Sequence, residues 1–447
     1  MSKSTNHISL EFWFSDEGRR VLTQAKQYLQ ATQNDILRAS MQLRKATNCS
    51  PEIASEAFEI TLCREKALYF GEWTEQGLFT RQALEQSTAP AIAKHHAERF
   101  RGCRHVLEIC TGAGFDTAAL ARNAGRVTTI EADERLAAMA RHNMALQGIT
   151  NVEVLCGLAE EVVSRLRVSD FDGLWSDPSR RTVSGERIAL PDNYTPALQW
   201  LQKLEIRGLR GIKIAPAVNC EAQHLQPFGE GLAKDMRWKR EWIGFGNECR
   251  EQVLWWWGDD FSYALSDSSS ADAHVHFRDG TATLLDNHGL LAQWHKADRL
   301  HSRAILPTQD IVHSLWNKDE TILKAAYILE PHPALIRTGY LADFADEYGF
   351  EMFDGRIAYM LSLHEPLKSP WYESFQIEEA FPFHYALLKE RLQARMWGNR
   401  LEIKKRGFPE TPEEIRKKLK LRLSPEQGVL FCTRKGQRHW AILAKRL

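Results

Sequence analysis

At 447 residues the chain is too long for one compact core, and two or three domains are the natural expectation. A hydrophobic fraction of 43% and a charged fraction of 26% exclude wholesale disorder, and no apolar run approaches the roughly 20 residues of a membrane span. Lys+Arg and Asp+Glu are both 58, yet Arg400 to Leu447 holds fourteen Lys/Arg against five Asp/Glu, so a neutral chain ends in a basic tail.

In chain order, Gly18–Leu43, Ala54–Tyr69 and Ala91–Phe100 have helical spacing, which makes residues 1–100 a helical region. From Arg104 short apolar runs alternate with amphipathic stretches. Strands are expected at Val106–Ile109, Val127–Ile130, Val152–Leu155, Gly173–Trp175 and Ile212–Ile214, with helices at Asp116–Arg122, Arg135–Leu146 and Tyr194–Leu204. Such alternation means a parallel sheet covered on both faces. Trp238–Phe245 and Gln252–Trp257 read as an antiparallel pair, and the polar stretch 267–270 as a boundary closing a 101–265 domain. Residues 271–365 read as a mixed module, α+β to Lys318 and mostly helical over Lys324–Tyr359; Pro366 and Pro370 mark the next boundary. Residues 371–447 read strand, helix, strand, helix (Pro412–Leu419), strand, turn, strand.

Val106-Leu-Glu-Ile-Cys-Thr-Gly-Ala-Gly-Phe-Asp116 is a strand ending in a glycine turn that opens a helix. Gly112 and Gly114 let the backbone turn sharply and approach a ligand, with free N–H groups at the helix start. Glu131, at the end of the next strand, is placed to accept ribose hydroxyls, so an adenosine ligand is implied. A dinucleotide loop would read G-x-G-x-x-G; here Phe115-Asp-Thr117 follows, with no third glycine, which favours a methyl donor. The segment resembles the E/D-x-x-x-G-x-G loop of class I methyltransferases. That resemblance implies S-adenosylmethionine, held by Glu108, Cys110, Thr111, Gly112, Gly114, Asp116, Glu131, Ala132, Leu158, Ala159 and Asp177. The turn Gly157-Leu-Ala-Glu160 departs from the acid that such proteins place near the adenine, leaving backbone groups or Glu160 for that contact.

Asp177-Pro-Ser-Arg180 ends the fourth strand and resembles the (D/N)-P-P-aromatic loop of amino-group methyltransferases. This makes Asp177, Pro178, Ser179 and Arg180 the catalytic candidates, with Ser179 and Arg180 as departures. Such a loop positions an acceptor amine, the donor being already activated. Lys213 and Pro216 either shape the pocket rim or form an ordinary strand-end turn. Cys220 reads as a buried thiol, and at least two of Trp255-Trp-Trp257 as core packing, the alternative being a stacking platform. The eight cysteines lack a C-x-x-C pair, and His301, His313 and His332 lack ligand spacing, so neither a metal nor a disulfide framework is expected; reduced thiols suit a cytoplasmic location.

Leu84-Glu-Gln-Ser87, Asp177-Pro-Ser-Arg-Arg181, Gly211-Ile-Lys-Ile-Ala-Pro216, Glu248-Cys-Arg-Glu-Gln-Val-Leu-Trp255 and Leu401-Glu-Ile-Lys-Lys-Arg-Gly407 together resemble a bacterial methyltransferase family with a ferredoxin-like module and a C-terminal THUMP-like domain. The resemblance implies an α/β fold: a Rossmann-like class I methyltransferase sheet, an N-terminal helical region and C-terminal α+β domains. It also implies an RNA substrate, tRNA or rRNA, since THUMP domains bind RNA. Lys404, Lys405, Arg406, Arg416, Lys417 and Lys418, with Trp397, Phe431 and Trp440 interleaved, supply a candidate phosphate-and-base surface; the alternative is a solvated basic surface over core aromatics. A protein or small-molecule acceptor fits the same loop, and Leu158 and Ser179 keep open a vestigial, purely RNA-binding protein.

Overall fold

The alternation after Arg104 builds a parallel sheet in the computed structural model, which describes residues 8–181, 186, 188, 190–206, 208–218, 236–258, 280–295 and 325–447. Cys220, His301, His313 and the boundary expected at 267–270 lie outside the described residues. The first of two units runs to Lys239 and resumes at Gln252; the second takes Arg240–Glu251 and the chain from Leu291 onward.

The first unit contains β1 (His105–Ile109), β2 (Arg126–Glu131), β3 (Val152–Cys156), β4 (Gly173–Ser176), β5 (Leu209–Ile214) and part of β7 (Glu248–Gly258). Their order is β3-β2-β1-β4-β5-β7. The first five are parallel, and β7 runs antiparallel to β5. Helices α7 (Phe115–Ala121), α8 (Glu134–Leu146), α9 (Ala159–Val163) and α10 (Leu198–Gln202) fall between successive strands. The helix expected over Tyr194–Leu204 shortens to α10, because its N-terminal part holds Pro196 and begins in extended backbone. Leu107, Ile109, Leu174, Ile212, Leu254 and Trp256 belong to one core cluster. Elsewhere Trp175 lies 4.3 Å from the His96 ring and 5.8 Å from Trp255. All three residues of Trp255–Trp257 are buried, as core packing requires.

Ahead of the sheet come α1 (Leu10–Phe14), α2 (Asp16–Ala31), α3 (Ile36–Thr47), α4 (Pro51–Ala67), α5 (Arg81–Gln86) and α6 (Pro90–Glu98). The stretch expected as one helical run over 18–43 breaks where Gln33 and Asn34 adopt φ 52° and 68°. These helices belong to the same unit as the sheet. Glu56 of α4 accepts from Trp13 Nε1 at 2.7 Å and from the Ile8 amide at 2.9 Å, and pairs with Arg135 of α8.

In the second unit part of β6 (Met236–Phe245) pairs in parallel with β8 (Thr281–Asp286), and β9 (Gly289–Trp294) follows. A seven-stranded sheet runs in the order β11-β12-β10-β13-β16-β15-β14. Its strands are β10 (Tyr327–Pro331), β11 (Glu351–Asp354), β12 (Ile357–Ser362), β13 (Tyr372–Pro382), β14 (Glu402–Arg406), β15 (Val429–Lys435) and β16 (Arg438–Arg446). Helices α11 (Pro333–Arg337), α12 (Leu341–Glu347), α13 (Tyr385–Ala394) and α14 (Pro412–Leu419) accompany them. Lys324–Tyr359 is therefore not mostly helical: Tyr327-Ile-Leu and Ile357–Leu361 are β-rich runs, and the intervening helices are short. Nor is the boundary expected at 365–371 a break in the sheet, since β10 pairs with β13 from Tyr327↔Gln376 to Pro331↔Tyr372.

Candidate active site

Strand register assembles the site before any side chain is considered. Ile109 sits opposite Ile130 and Ser176, Ser176 opposite Ile212, and Glu131 opposite Cys156. Cys110, Asp177 and Lys213 therefore lie one residue further along their strands than these partners, and Gly157 one beyond Cys156, at the carboxyl edge. The strand order reverses at β1, which is where open α/β sheets bind ligands. A cavity of about 850 Å³ opens there, within the range of ligand pockets.

Ordinary side chains fit the glycine loop poorly. Gly112 adopts φ +54°, and a Cβ built on it would meet nothing within 4 Å. Gly114 adopts φ +85° as the N-cap of α7, and its Cβ would come within 2.9 Å of Met144 Cε and 3.6 Å of Ala140 Cβ. One glycine thus keeps the cavity open and the other lets α7 approach α8. Cys110 holds φ +73° without being glycine, a conformation sparsely adopted by L residues, while its amide donates to Ile130 O at 3.0 Å. Glu131 accepts from the Gly112 amide at 2.8 Å and the Asp133 amide at 3.0 Å, so this carboxylate also shapes the loop. Burial pushes its carboxyl above the ordinary range, against those amides.

Cys110, Thr111, Gly112, Asp116, Glu131, Ala132, Leu158, Ala159, Asp177 and Ser179 all line the cavity. Glu108, Gly114, Pro178 and Arg180 do not. Glu108 is buried beneath the loop, where it accepts from Thr117 Oγ1 of α7 at 2.6 Å; burial raises its carboxyl to about 8. Pro178 is buried and Arg180 half-buried. Ser179 exchanges backbone hydrogen bonds with Thr195, at 2.9 and 3.2 Å, which brings Thr195 and Pro196 to the cavity wall. Leu158 is 52% exposed at the cavity.

Two features were missed or underrated in the sequence. Helices α4 and α5 contribute Glu59, Arg81, Glu85 and Gln86, so the N-terminal region walls the site. Lys213, weighed as a rim residue, is buried and donates to Asp177 Oδ2 at 2.8 Å and to Thr88 Oγ1 at 3.0 Å. Thr88 also lines the cavity, and the neighbouring Leu84–Ser87 motif was its sequence signal. The charged lining is seven carboxylates (Glu59, Glu85, Asp116, Glu131, Asp133, Glu160, Asp177) against Arg81 and Arg135, a field that suits a cation.

The nucleic-acid candidates are differently placed from expectation. Lys404 Nζ pairs with Glu330, Glu373 and Glu402, and its side chain is 15% exposed. Arg406 pairs with Glu330 and donates to Ala358 O at 2.7 Å, and Lys405 is half-buried. Arg416 bonds Asn399 O and Leu401 O, and Lys418 pairs with Glu410; Lys417 is exposed. Trp397, Phe431 and Trp440 are buried, so they are core and not stacking platforms. Among the described residues there is no group of three ligating side chains that would hold a metal, and no helix long and apolar enough to cross a membrane.

Comparison with known proteins agrees with this architecture. The protein-L-isoaspartate(D-aspartate) O-methyltransferase family model matches residues 80–161, and the THUMP domain-like model matches residues 372–446. An uncharacterized S-adenosylmethionine-dependent methyltransferase of Mycobacterium tuberculosis is 27% identical over 384 residues, 83% of this chain and 91% of that protein. A protein-L-isoaspartate O-methyltransferase of Methanoculleus marisnigri is 38% identical over 76 residues, 17% of this chain and 34% of its own. A methyltransferase crystal structure from Porphyromonas gingivalis shares the fold, with TM-score 0.63 and 19% identity over 89% of this chain and 92% of its own. With the glycine loop, the acidic cavity and both domain matches in one polypeptide, the chain is a class I S-adenosylmethionine-dependent methyltransferase that carries a THUMP-like domain.

Proposed function

We propose that this enzyme methylates a base nitrogen of tRNA or rRNA. The observation that carries the reading is the coexistence of an amine-type acceptor loop, with Asp177 on the cavity, and a THUMP-like domain at residues 372–446. When bound, S-adenosylmethionine supplies a methyl group already activated on a sulfonium. The residues present fit it: Gly112 leaves the cavity unobstructed, Glu131 stands ready for ribose hydroxyls, and the carboxylate-rich lining offsets the sulfonium charge. Leu158, exposed at the rim, offers an apolar face to the purine where an acid is absent. Asp177 accepts a hydrogen bond from the acceptor amine, orienting its lone pair along the sulfur–methyl axis. The amine's proton leaves to solvent, and positioning supplies most of the acceleration.

A protein acceptor is the second reading, favoured by the isoaspartate methyltransferase match. That match ends at residue 161, before Asp177, so it covers the donor half and says little about the acceptor. The test is methyl incorporation from labelled donor into total tRNA, rRNA and protein from a strain lacking the gene. Incorporation into RNA is expected, and incorporation into protein alone overturns the proposal. Asp177→Ala, which removes the accepting oxygen, should leave donor affinity nearly intact while transfer falls ~100-fold. Asp177→Asn keeps an accepting oxygen for both the amine and the buried Lys213, and should retain far more of the rate than Asp177→Ala.

A further inference from the structure

Strand β5 buries two cations, Arg210, which donates to the Gln202 and Leu204 carbonyls, and Lys213. Every residue of Leu209–Ile214 is buried, and a lysine there costs desolvation unless its ammonium is fully engaged. Its side chain is 5% exposed and that of Asp177 22%. The hydroxyl of Thr88 donates to Asp116 Oδ2 at 2.6 Å, so its oxygen is free to accept from Lys213. The donor directions then run one way: Lys213 to Asp177, Lys213 to Thr88, Thr88 to Asp116. One cation sits between two carboxylates, one at the end of β4 and the other in the first turn of α7, directly after the glycine loop. Both carboxylates and Thr88 line the cavity.

We propose that Lys213, acting with Thr88, is a positioning residue for methyl transfer: it occupies Oδ2 of Asp177, turns Oδ1 toward the acceptor, and locks the acceptor loop to the helix that follows the cofactor loop. This rests on the reading that the transferred methyl meets Asp177. A buried ammonium needs more than one acceptor, and Thr88 supplies the second. Here the hydroxyl fixes the ammonium laterally, and the same hydroxyl reports to Asp116. Lysine carries three donors and satisfies both oxygens from one nitrogen, which a planar guanidinium does only with a changed geometry.

The experiment uses the full-length protein and two soluble ligands, S-adenosylhomocysteine and sinefungin. Sinefungin replaces the methylated sulfur by a carbon bearing an amine, so its ammonium reports the position of the Asp177 carboxylate. By calorimetry the wild-type protein should prefer sinefungin. Lys213→Met removes a cation that repels the ligand ammonium, so charge alone would raise the preference and overturn the proposal. Loss of positioning should instead reduce it about 10-fold, with S-adenosylhomocysteine affinity held within about 2-fold. Thr88→Val, which keeps the ion pair, guards against a Lys213→Met protein that fails to fold. It should reduce the preference about 3-fold, and Thr88→Ser should restore it, which a packing role would not do. If Lys213→Met or Thr88→Val binds both ligands as the wild type does while Asp177→Asn loses the preference, the proposal fails and the Asp177 reading stands. If Asp177→Asn also keeps the preference, both fail.

Discussion

At the scale of single residues, two glutamates of similar sequence context have separated roles. Glu108 lies under the glycine loop, buried and bonded to Thr117, with its carboxyl raised to about 8 chiefly by burial. A carboxyl whose folded value exceeds its unfolded one binds an extra proton in the folded state. Its stabilisation is complete at low pH and is lost as pH rises from the ordinary carboxyl range through about 8. Wild-type stability should therefore fall across that window, with a slope of up to about 1.4 kcal/mol per pH unit from this one group. Glu108→Gln should flatten it, which chemical denaturation at several pH values will measure; identical slopes would refute the assignment. Glu131, by contrast, faces the cavity, and its oxygens already accept two backbone amides. Glu131→Ala should weaken S-adenosylmethionine binding by ~1–3 kcal/mol in calorimetry, the cost of losing a hydrogen-bonding carboxylate in a buried site. Undiminished affinity would remove Glu131 from the ribose.

At the scale of elements, the glycine loop couples β1 to α7 and α8, and its two glycines answer to different constraints. Gly112→Val adds its side chain toward open space at the cavity, so donor binding should be lost while much of the fold's stability survives. Both substitutions cost ~1–2 kcal/mol of backbone strain, because both glycines hold positive φ; Gly114→Val also drives a side chain into Met144, so it should cost the more stability. Melting and calorimetry on the pair will separate the two effects, and equal melting losses would contradict the division. Period and punctuation made this loop legible: an apolar run, two glycines and an amphipathic stretch have one common solution in an α/β sheet. The carboxyl-edge position of Asp177 was legible for the same reason. The partnership of Lys213 with Asp177 and Thr88 was not, because it joins residues 36 and 125 positions apart and depends on strand order. Tyr327–Pro331 and Ile357–Ser362 were misread because short β-rich runs beside prolines resemble broken helix until the strands beside them are known. The family resemblance named the end domain, but it did not say which of its cations are spent internally.

At the scale of the whole molecule, the net charge of the tail overstates the charge available to a polyanion. The seven-stranded sheet curls so that Lys404 and Arg406 of β14 reach Glu330 of β10, while Arg446 pairs with Glu373 and Glu402. Phe375 lies 5.2 Å from Lys404 Nζ and 4.9 Å from the Arg446 guanidinium, which further commits both to the fold. Replacing Lys404, Lys405 and Arg406 together with alanine would leave Glu330 without either of these cations, while Glu373 and Glu402 keep Arg446. Orphaning that mostly buried carboxylate costs ~1–3 kcal/mol. That triple change should lower the melting temperature, so any loss of RNA binding it causes would be uninformative. The informative set is Lys417, Lys420 and Arg422, which are exposed at the end of α14 and just beyond it. Lys420 is better replaced by asparagine, because it holds φ +49° and asparagine tolerates that region. If these cations meet phosphates, each contact contributes roughly 0.7–0.9 to the log–log dependence of affinity on salt. The full-length wild-type protein should bind structured RNA with affinity falling steeply with salt. Lys417→Ala, Lys420→Asn and Arg422→Ala together should flatten the slope by about 2, leaving melting and S-adenosylmethionine affinity unchanged. An unaltered slope would move the RNA surface elsewhere on the chain, and no binding of tRNA or rRNA by the wild type at low salt would favour the protein acceptor.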